Sequence, residues 1–367
     1  MSNKKQFNYL MPEPNKDIRY LNSYSAPLED RRNLLRLDFN ENTIGPSEKV
    51  YRAIQNIKIN EISIYPEYDI LKSKICLNYN KRKIFEKDEI GIFNGADAAI
   101  NAIFKAYGEQ NELFLTTNPT FGYYFPCAKM QGMNILSCSY IGNNFEFPIK
   151  NFCKEIKANS PKIIFICNPN NPTGTVISAE DIINIANQNQ KSLIVVDELY
   201  EKFYGDSLLE KINFKDTKNI IIVQSLSKTA GLAGLRIGFA FGNSQLIKYI
   251  NKVTGPYDVN SFAVAAASAA LDDLEYIDDY VLKVKEARSW IKGKFESINI
   301  RNNFNAGNYF LIWPKMDPKV MVKKMKDEGI LIRSMDNKKD IEESLRVSIG
   351  TKAQMQFFWE TYKKLDF

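Results

Sequence analysis

The stretch SLSKTAGLAGLRIGF, at residues 225–239, holds the side chains with the most evident chemistry. Lys228 lies between two small hydroxyl residues just after the apolar run NIIIV, and Arg236 follows eight positions later. A primary amine at a buried strand end can form an imine with a carbonyl compound, and an arginine beside hydroxyls can hold a phosphate. We expect Gly231 and Gly234 to bend the loop so that Arg236 reaches back. For the lysine alone, extension of the side chain to water is an equally open alternative.

The chain contains no histidine, which excludes Ser-His-Asp hydrolases, Cys-His proteases and histidine-ligated metal sites. Proton transfer near neutral pH then needs another group, and a lysine whose pKa is lowered by burial is a candidate. The five cysteines are odd in number and form no CxxC pair. We therefore expect free, mostly buried thiols and no metal site.

Length and composition predict two domains, because 367 residues of which 44% are hydrophobic can bury a sizeable core. No apolar run of about 18 residues occurs, and the first residues carry charges where a signal peptide needs an apolar segment. We expect a cytoplasmic protein with no membrane partner. The net charge of +6 comes from scattered basic residues, many of them beside Asp or Glu, so no nucleic-acid partner is expected.

Apolar, β-branched runs alternate with amphipathic segments along the middle of the chain. The runs are KIIFIC at 162–167, LIVV at 193–196 and NIIIV at 219–223. Between the first two lies a helix-like stretch, with Ser178 as its N-cap and Asp181 at the third helical position. This alternation predicts βαβ units and a mostly parallel sheet, which gathers ligands at the carboxyl ends of its strands.

Each of these runs ends in a segment rich in functional groups, namely NPNNPTG, DELYEKF and QSLSK. An imine-forming lysine suits pyridoxal phosphate, which also needs a phosphate site, a carboxylate for the pyridine nitrogen, donors to the ring hydroxyl and an aromatic face. The candidate for the pyridine nitrogen is Asp197, those for the ring hydroxyl are Asn171 and Tyr200, and that for the aromatic face is Phe121. The candidates for the phosphate site are Ser225, Ser227, Arg236, Gly95, Ala96 and Asp97. Every requirement of the cofactor therefore has a candidate residue.

The ordered motifs resemble those of fold-type I, class I/II aminotransferases, and most of all the histidinol-phosphate aminotransferase branch. They are LDFNENTIGPS, YPE, NGADAAI, PTFGYY, NPNNPTG, VVDELYEKF, SLSKTAGLAGLRIGF, PYDVN, GILIRS and LRVSIGT. The resemblance implies an α/β fold-type I PLP-dependent transferase, with a mostly parallel mixed sheet in a large domain and a smaller α+β domain. It places the large, cofactor-binding domain at 45–255. Residues 1–44 and 256–367 would form the small domain, with the N-terminal segment and a lid.

The resemblance also implies roles for single residues. Lys228 matches the Schiff-base lysine and Asp197 the partner of the pyridine nitrogen, while the other cofactor candidates match the family's ring and phosphate contacts. Tyr65 would reach the cofactor phosphate of the neighbouring subunit, which makes the active unit a homodimer. Arg346 matches the arginine that binds the substrate α-carboxylate. Arg333 matches a position that helps to hold a substrate phosphate, although it could equally be structural.

The expected function is amino transfer between an amino acid such as glutamate and a small, phosphorylated oxo compound. A serine-phosphate or threonine-phosphate decarboxylase is the alternative, which GLAGLR after the lysine disfavours. A non-catalytic regulator is a weaker alternative, because only about forty residues precede the family-like region, too few for a winged helix and linker. The loop around Asn42 is expected to cover the substrate, but Thr43 and Ile44 replace the family's usual proline and aromatic residue. The identity of the substrate therefore stays open.

Overall fold

The computed structural model describes residues 12–19, 21, 30–79 and 85–367. The strands are β1 (Leu35–Arg36), β2 (Ile90–Phe93), β3 (Leu113–Asn118), β4 (Asn134–Ser139), β5 (Ile163–Cys167), β6 (Leu193–Asp197), β7 (Ile220–Ser225), β8 (Gly238–Gly242), β9 (Asn302–Asn303), β10 (Tyr309–Ile312), β11 (Ile330–Leu331), β12 (Arg333–Ser334) and β13 (Leu345–Ser348). The α-helices are α1 (Glu48–Gln55), α2 (Asp69–Tyr79), α3 (Ala96–Tyr107), α4 (Tyr124–Met130), α5 (Ile149–Asn159), α6 (Ala179–Gln188), α7 (Glu201–Tyr204), α8 (Ser244–Asn251), α9 (Ser261–Leu271), α10 (Leu274–Glu296), α11 (Pro318–Asp327) and α12 (Lys352–Asp366).

A seven-stranded sheet with the order β2-β8-β7-β6-β5-β3-β4 forms the centre of the molecule. Only β8 runs antiparallel to its neighbours. The three apolar runs of the sequence form β5, β6 and β7, which are adjacent and parallel. Their carboxyl ends therefore lie side by side, and Cys167 is in register with Asp197. The predicted α/β class with a mostly parallel mixed sheet is confirmed.

The two faces of this sheet belong to different hydrophobic clusters. On β5, Ile164 and Ile166 pack into one cluster with helices α6 and α9. The alternate residues Ile163 and Phe165 pack into a second cluster with α3 and α4. Both faces are buried, so these strands read as continuous apolar runs in the sequence. Helix α6 begins as predicted, because the Ser178 side chain accepts a hydrogen bond from the backbone of the third helical residue.

A four-stranded antiparallel sheet, β12-β13-β10-β9, forms the centre of the smaller domain. The sequence segments NYFLIWP, GILIRS and SLRVSIG contain strands β10 to β13, while β9 comes from the preceding Asn302 and Asn303. Strand β1 pairs in parallel with β11, so the N-terminal segment joins this part of the molecule. Helices α10, α11 and α12 cover the sheet with a cluster rich in aromatic residues.

The helical segment after residue 258 consists of two helices rather than one continuous helix. Helix α9 ends at Leu271, the backbone N–H of the following Asp272 bonds to its last turn, and α10 begins after Asp273. Both aspartates pair with lysines of α1 and α2, which stabilises the break. Helix α9 packs with the large sheet, whereas most of α10 packs in the smaller domain. The domain limit at 255 stays a prediction.

Helix α10 is also the longest helix of the described chain, with 23 residues. Neither α10 nor any other helix in the described ranges is long and apolar enough to cross a membrane. The five cysteines are all free thiols, and three of them, Cys127, Cys138 and Cys167, are buried. This agrees with the prediction of free, mostly buried thiols.

Candidate active site

A cleft of about 640 Å³ opens at the carboxyl ends of β5, β6 and β7 and is closed on its other side by β12 and β13. We call it the active cleft. It gathers most of the side chains that the sequence singled out: Ala96, Asp97, Phe121, Asn171, Asp197, Tyr200, Ser225, Ser227, Lys228, Arg236, Arg333 and Arg346. Residues from widely separated parts of the sequence therefore converge on one site.

Lys228 emerges three residues after the end of β7 and is partly buried in the active cleft. Its Nζ donates a hydrogen bond to the carbonyl oxygen of Phe39, at 2.9 Å. Burial, followed by repulsion from Arg346, lowers the pKa of Lys228 to about 8. A substantial fraction of the amine is then neutral near physiological pH, as a nucleophile and proton acceptor must be.

The loop after Lys228 turns in a way that the sequence predicted only in part. Gly231 has φ +74°, and a Cβ there would lie 2.7 Å from the backbone carbon of Gly45, so only glycine fits. Gly234 has open space around it and no positive φ, so its predicted bending role is wrong. Arg236 also has a positive φ, of 56°, and this conformation turns its side chain back to the cleft.

An anion-binding surface forms where α3 begins beside Arg236. Gly95, with φ +84°, precedes the first turn of the helix, and a Cβ there would lie 2.5 Å from the Arg236 guanidinium. Arg236 Nη2 lies 3.0 Å from Asp97 Oδ2. The helix N-terminus, an arginine and two serine hydroxyls thus face the same space, and such groups bind phosphate.

The serines of this surface are already oriented by each other. Ser225 Oγ donates to Ser227 Oγ at 2.7 Å, and it accepts a hydrogen bond from the Ser227 backbone N–H at 2.9 Å. Both line the active cleft on the same side as Lys228. The hydroxyls can therefore turn toward a bound anion without moving the backbone.

Asp197 is the last residue of β6 and is only 2% exposed. The Tyr124 hydroxyl donates to its Oδ2 at 2.5 Å, and the Leu199 backbone N–H donates to its Oδ1 at 3.2 Å. Burial raises the pKa of Asp197 to about 6 in spite of these donors. A buried carboxylate of this kind favours a cationic N–H partner. Tyr124 was missed by the sequence reasoning, which took only Phe121 from PTFGYY.

Two more buried carboxyl groups follow Asp197 along the chain, and they affect stability rather than the cleft. Glu198 accepts hydrogen bonds from Ser207 and the Leu208 backbone, and burial raises its pKa to about 7. Burial and then repulsion from Glu198 raise the pKa of Glu201 to about 8. The unfolded chain loses these protons near pH 4.5, so the folded state binds more protons between about pH 5 and pH 8. Stability therefore falls as the pH rises through this window.

Glu201→Gln is expected to raise the free energy of unfolding at pH 8.5 by roughly 1–3 kcal/mol, with little change at pH 5. The amide carries no charge, so folding at high pH no longer requires the side chain to take up a proton or to be buried as an anion. Denaturant unfolding of both proteins at the two pH values measures the effect, with exposed Glu112→Gln as the control. An equal change at both pH values would contradict this assignment.

Asn171, Tyr200 and Arg346 form one buried hydrogen-bonded group. Arg346 Nη1 donates to Asn171 Oδ1 at 2.7 Å, and its Nη2 donates to the carbonyl oxygen of Asp38 at 2.6 Å. The Tyr200 hydroxyl accepts from Asn171 Nδ2 at 3.5 Å and from Asn40 Nδ2 at 3.0 Å. The guanidinium is thus held in a fixed orientation at the cleft wall. Asn40 is a further cleft residue that the sequence reasoning missed.

Arg333 lies directly opposite Arg346 in the register of β12 and β13. Its guanidinium lies 5.6 Å from the ring centroid of Phe39. Lys338, which the sequence reasoning did not select, lines the same part of the cleft and donates to the carbonyl oxygen of Thr120 at 3.2 Å. Burial and then repulsion from the two arginines lower the pKa of Lys338 to about 8. The small domain therefore presents a group of cations to the cleft.

Phe121 lies in the wall of the active cleft, with its ring edge-on to Tyr124 at a centroid distance of 5.5 Å. Asn42, in contrast, is not part of the wall. Its Nδ2 donates to the carbonyl oxygen of Thr229 at 2.9 Å, and its Oδ1 accepts from the backbone N–H groups of Ile44 and Gly45. These contacts tie the loop around Asn42 to the segment that carries Lys228, so its substrate contact stays a prediction.

Tyr65 lies outside the active cleft of its own chain. Its side chain is 69% exposed, and its ring stacks on Tyr257 at a centroid distance of 4.0 Å. The structure thus leaves it available at the surface, where the predicted contact with a neighbouring subunit would need it.

The sequence profile of the family described as aminotransferase class I and II matches residues 32–360, which is most of the chain. The chain belongs to this family. A histidinol-phosphate aminotransferase from Clostridium botulinum is 31% identical to it over 340 residues, which cover 91% of this chain and 92% of the relative. The resemblance that the motifs indicated is confirmed, and the protein is an aminotransferase.

Solved structures confirm the fold. A protein from Erwinia carotovora atroseptica, provisionally assigned as a histidinol-phosphate aminotransferase, is 26% identical with a TM-score of 0.83, covering 93% of this chain and 98% of that chain. The L-threonine-O-3-phosphate decarboxylase of Porphyromonas gingivalis has a TM-score of 0.78 at 21% identity, covering 90% and 99%. The fold alone therefore does not separate the two reactions. The family profile and the 31% identical relative favour amino transfer over the decarboxylase alternative.

Pyridoxal 5′-phosphate is the cofactor of this enzyme. The active cleft fits it, because the absence of a Cβ at Gly95 and Gly238 leaves room for Arg236 and the first N–H of α3 at a phosphate position. The cleft also holds a buried carboxylate for the ring nitrogen, an amide and a phenol beside it, and a lysine with a lowered pKa. These are the groups that the cofactor's chemistry requires.

Proposed function

We propose that the enzyme transfers an amino group between an amino acid such as glutamate and a small, phosphorylated oxo compound, as a cytoplasmic homodimer. The observation that carries the substrate class is the group of cations Arg333, Lys338 and Arg346 in the active cleft. Among the described residues, no carboxylate forms an ion pair with Arg333 or Lys338. The cytoplasmic assignment is supported by the five free cysteines.

Like charges directly opposite each other on antiparallel strands destabilise a sheet. Arg333 and Arg346 form such a pair, and Lys338 adds a third positive charge. Burial is the main cause of the lowered pKa of Lys338, and repulsion from the two arginines lowers it further. A bound anion offsets this cost. The carboxylate of the amino acid would neutralise one charge at Arg346, and a doubly charged phosphate would match the remaining two cations.

The residues that we assign to the cofactor divide into four groups. Ser225, Ser227, Arg236 and the start of α3 would hold its phosphate, Asp197 its pyridine nitrogen, and Asn171 with Tyr200 its ring hydroxyl, while Phe121 would cover one face of the ring. When bound, the cofactor supplies a carbonyl carbon for the amine and an electron sink in its ring. Lys228 Nζ would carry the cofactor and then take the proton from the substrate Cα. Tyr124 positions Asp197 by its short hydrogen bond.

The substrate class is tested with enzyme that has been charged with amino groups by excess glutamate and then freed of glutamate by gel filtration. We expect imidazole-acetol phosphate or a smaller phosphorylated ketone to accept the amino group, and their dephosphorylated counterparts to react much more slowly. Arg333→Met and Lys338→Met are each expected to raise KM for the phosphorylated acceptor about tenfold or more. The exposed neighbour Lys339→Met is the matched control.

If unphosphorylated keto acids react while no phosphorylated compound does, the role of Arg333 and Lys338 is wrong. The same preparation tests the decarboxylase alternative. Serine phosphate and threonine phosphate are added with an amino acceptor, and CO₂ is measured beside the keto product. We expect no CO₂ above the background of enzyme-free samples.

The homodimer is supported by an exposed apolar surface around Tyr65. Ile59, Ile62, Ile64 and Tyr65 are all more than half exposed, and Ile59 reaches 88%. Tyr257, which stacks on Tyr65, is also about half exposed. A contiguous apolar patch of this kind on a soluble enzyme marks a protein interface. In a two-fold dimer, this surface would meet its own copy and carry Tyr65 toward the partner's cofactor phosphate.

Subunit mixing tests the contribution of Tyr65 across the interface. Lys228→Ala and Tyr65→Ala are each expected to be impaired as pure proteins. A mixture of the two variants that has been dissociated and reassociated should regain activity, because one of the two sites in each mixed dimer has both native residues. Since about half of the dimers are mixed, about one site in four is then active. No recovery, in a mixture shown by tagged subunits to contain mixed dimers, would place Tyr65 outside the partner's site.

A further inference from the structure

A second cavity of about 700 Å³ lies where the smaller domain meets the large one, and we call it the junction cleft. It is lined by residues 144–147, 174–176, 203–204 and 304–306 together with Lys285, Arg288 and Ser289. None of these residues lines the active cleft. The junction cleft is therefore separate from the site of amino transfer.

Arg288 is the central polar side chain of the junction cleft. Its Nη2 donates to the carbonyl oxygen of Phe203 at 3.2 Å, and its Nη1 donates to that of Asn305 at 3.5 Å. Its Nε is buried and has no hydrogen-bond partner among the described residues. A partly exposed guanidinium with only main-chain acceptors retains much of its capacity to bind an anion.

Lys285 lies one helical turn before Arg288 on α10 and brings a second positive charge to the same wall. In the described parts of the chain, neither residue forms an ion pair with a carboxylate. Glu146 is the only acidic residue among those that line the cleft, and it is exposed. Burial and the charge of Arg288 lower the pKa of Lys285. The wall thus carries two positive charges, which the nearby Asp278 offsets only in part.

The remaining wall includes four phenylalanines, of which Phe147 and Phe304 are partly exposed and Phe145 and Phe203 are almost fully buried. Phe145 is buried and stacks on Trp313, and Phe304 stacks on Phe310 at 4.4 Å, so both rings are held in place. Apolar walls with a few fixed polar groups are typical of small-molecule sites. Preformed rings select a flat or apolar body, and the cations select a negative group.

We propose that the junction cleft is a second ligand site, which binds a small anion made of a carboxylate or phosphate attached to a planar ring. The anionic group contacts Arg288 and Lys285, and the ring packs against Phe147 and Phe304. An occupant would touch both domains next to the loop that carries Asn171. That loop is held to the smaller domain by the Ala306 N–H, which donates to the carbonyl oxygen of Gly174 at 3.0 Å.

The test uses the holoenzyme and three probes with the same ring: benzoate, phenyl phosphate and neutral benzyl alcohol. Binding is followed by saturation-transfer NMR and calorimetric titration. We expect Lys285→Met and Arg288→Met to weaken binding of at least one anionic probe about tenfold or more. Lys283→Met, an exposed change on the same helix, and Arg346→Met in the active cleft should leave this binding event unchanged.

Lys285→Met keeps the proposal testable if Arg288→Met fails to fold, because no hydrogen bond of the Lys285 ammonium is present among the described residues. Three results would overturn the proposal. The first is that neither benzoate nor phenyl phosphate binds, and the second is that benzyl alcohol binds as tightly as the anions. The third is that anion binding is lost in Arg346→Met but kept in Lys285→Met. The last result would assign the probe to the active cleft.

Discussion

Lys228→Ala is expected to lower the rate of amino transfer by at least about 10⁴-fold, the range set by losing both a covalent group and a general base. No other primary amine lies beside Ser225 and Ser227 in the active cleft, within the described part of the chain. The steady-state rate of keto-acid formation from the amino donor measures the loss. The visible absorbance of the bound cofactor should change as well.

Lys228→Arg is the matched variant, because it keeps a positive charge at this position but cannot form an imine. We expect it to be as inactive as the alanine variant while it still binds the cofactor. Lys338→Ala should keep the covalent attachment, since this lysine faces the substrate arginines and not the serines. Full activity in either variant of Lys228 would disprove its role.

Asp197→Asn is expected to have the second largest effect, a fall of about 10²–10⁴-fold in amino transfer, equivalent to the roughly 3–5 kcal/mol lost when one member of a buried ion pair is removed. The amide cannot hold a protonated ring nitrogen by charge, so the cofactor becomes a weaker electron sink. Cofactor affinity should fall too. Both quantities are measured on the same preparation, by initial rates and by equilibrium dialysis of the cofactor.

Glu198→Gln is the control for this change, because it converts the adjacent buried carboxyl into an amide. Glu198 bonds to Ser207, Leu208 and Gln224 and does not line the active cleft. We expect its amino transfer to stay within about threefold of the unaltered enzyme, in line with a change that does not touch the reacting groups. If both variants lose activity equally, the effect of Asp197→Asn is structural.

The sheet and most of the cofactor site follow from the sequence because both depend on local patterns. The run before Asp197 is buried on both faces, so its strand reads directly from its composition. In a parallel sheet the residues after such strands must meet at one edge, and this rule brought Asn171, Asp197 and Lys228 together. The order of the motifs added Arg346, which no local pattern would have connected to that edge.

What the sequence did not reveal depends on contacts between distant segments. Tyr124 became identifiable only when α4 was placed against the end of β6, where its hydroxyl reaches Asp197. Lys338 lies in an irregular segment after β12, which no periodicity describes. The error at Gly234 has the same origin. A glycine in a loop suggests a positive φ, but the close approach of a distant backbone selects Gly231 instead.

The most direct test of the account is to identify the amine that carries the cofactor. The holoenzyme is reduced with borohydride, which fixes the cofactor to that amine, and the digested protein is analysed by mass spectrometry. Lys228 and Lys338 both lie in the active cleft, and burial lowers the pKa of each to about 8. Because only Lys228 adjoins Ser225 and Ser227, to which we assign the cofactor phosphate, we predict the label on Lys228 alone. A label on Lys338, or a fully labelled Lys228→Ala enzyme, would contradict the account.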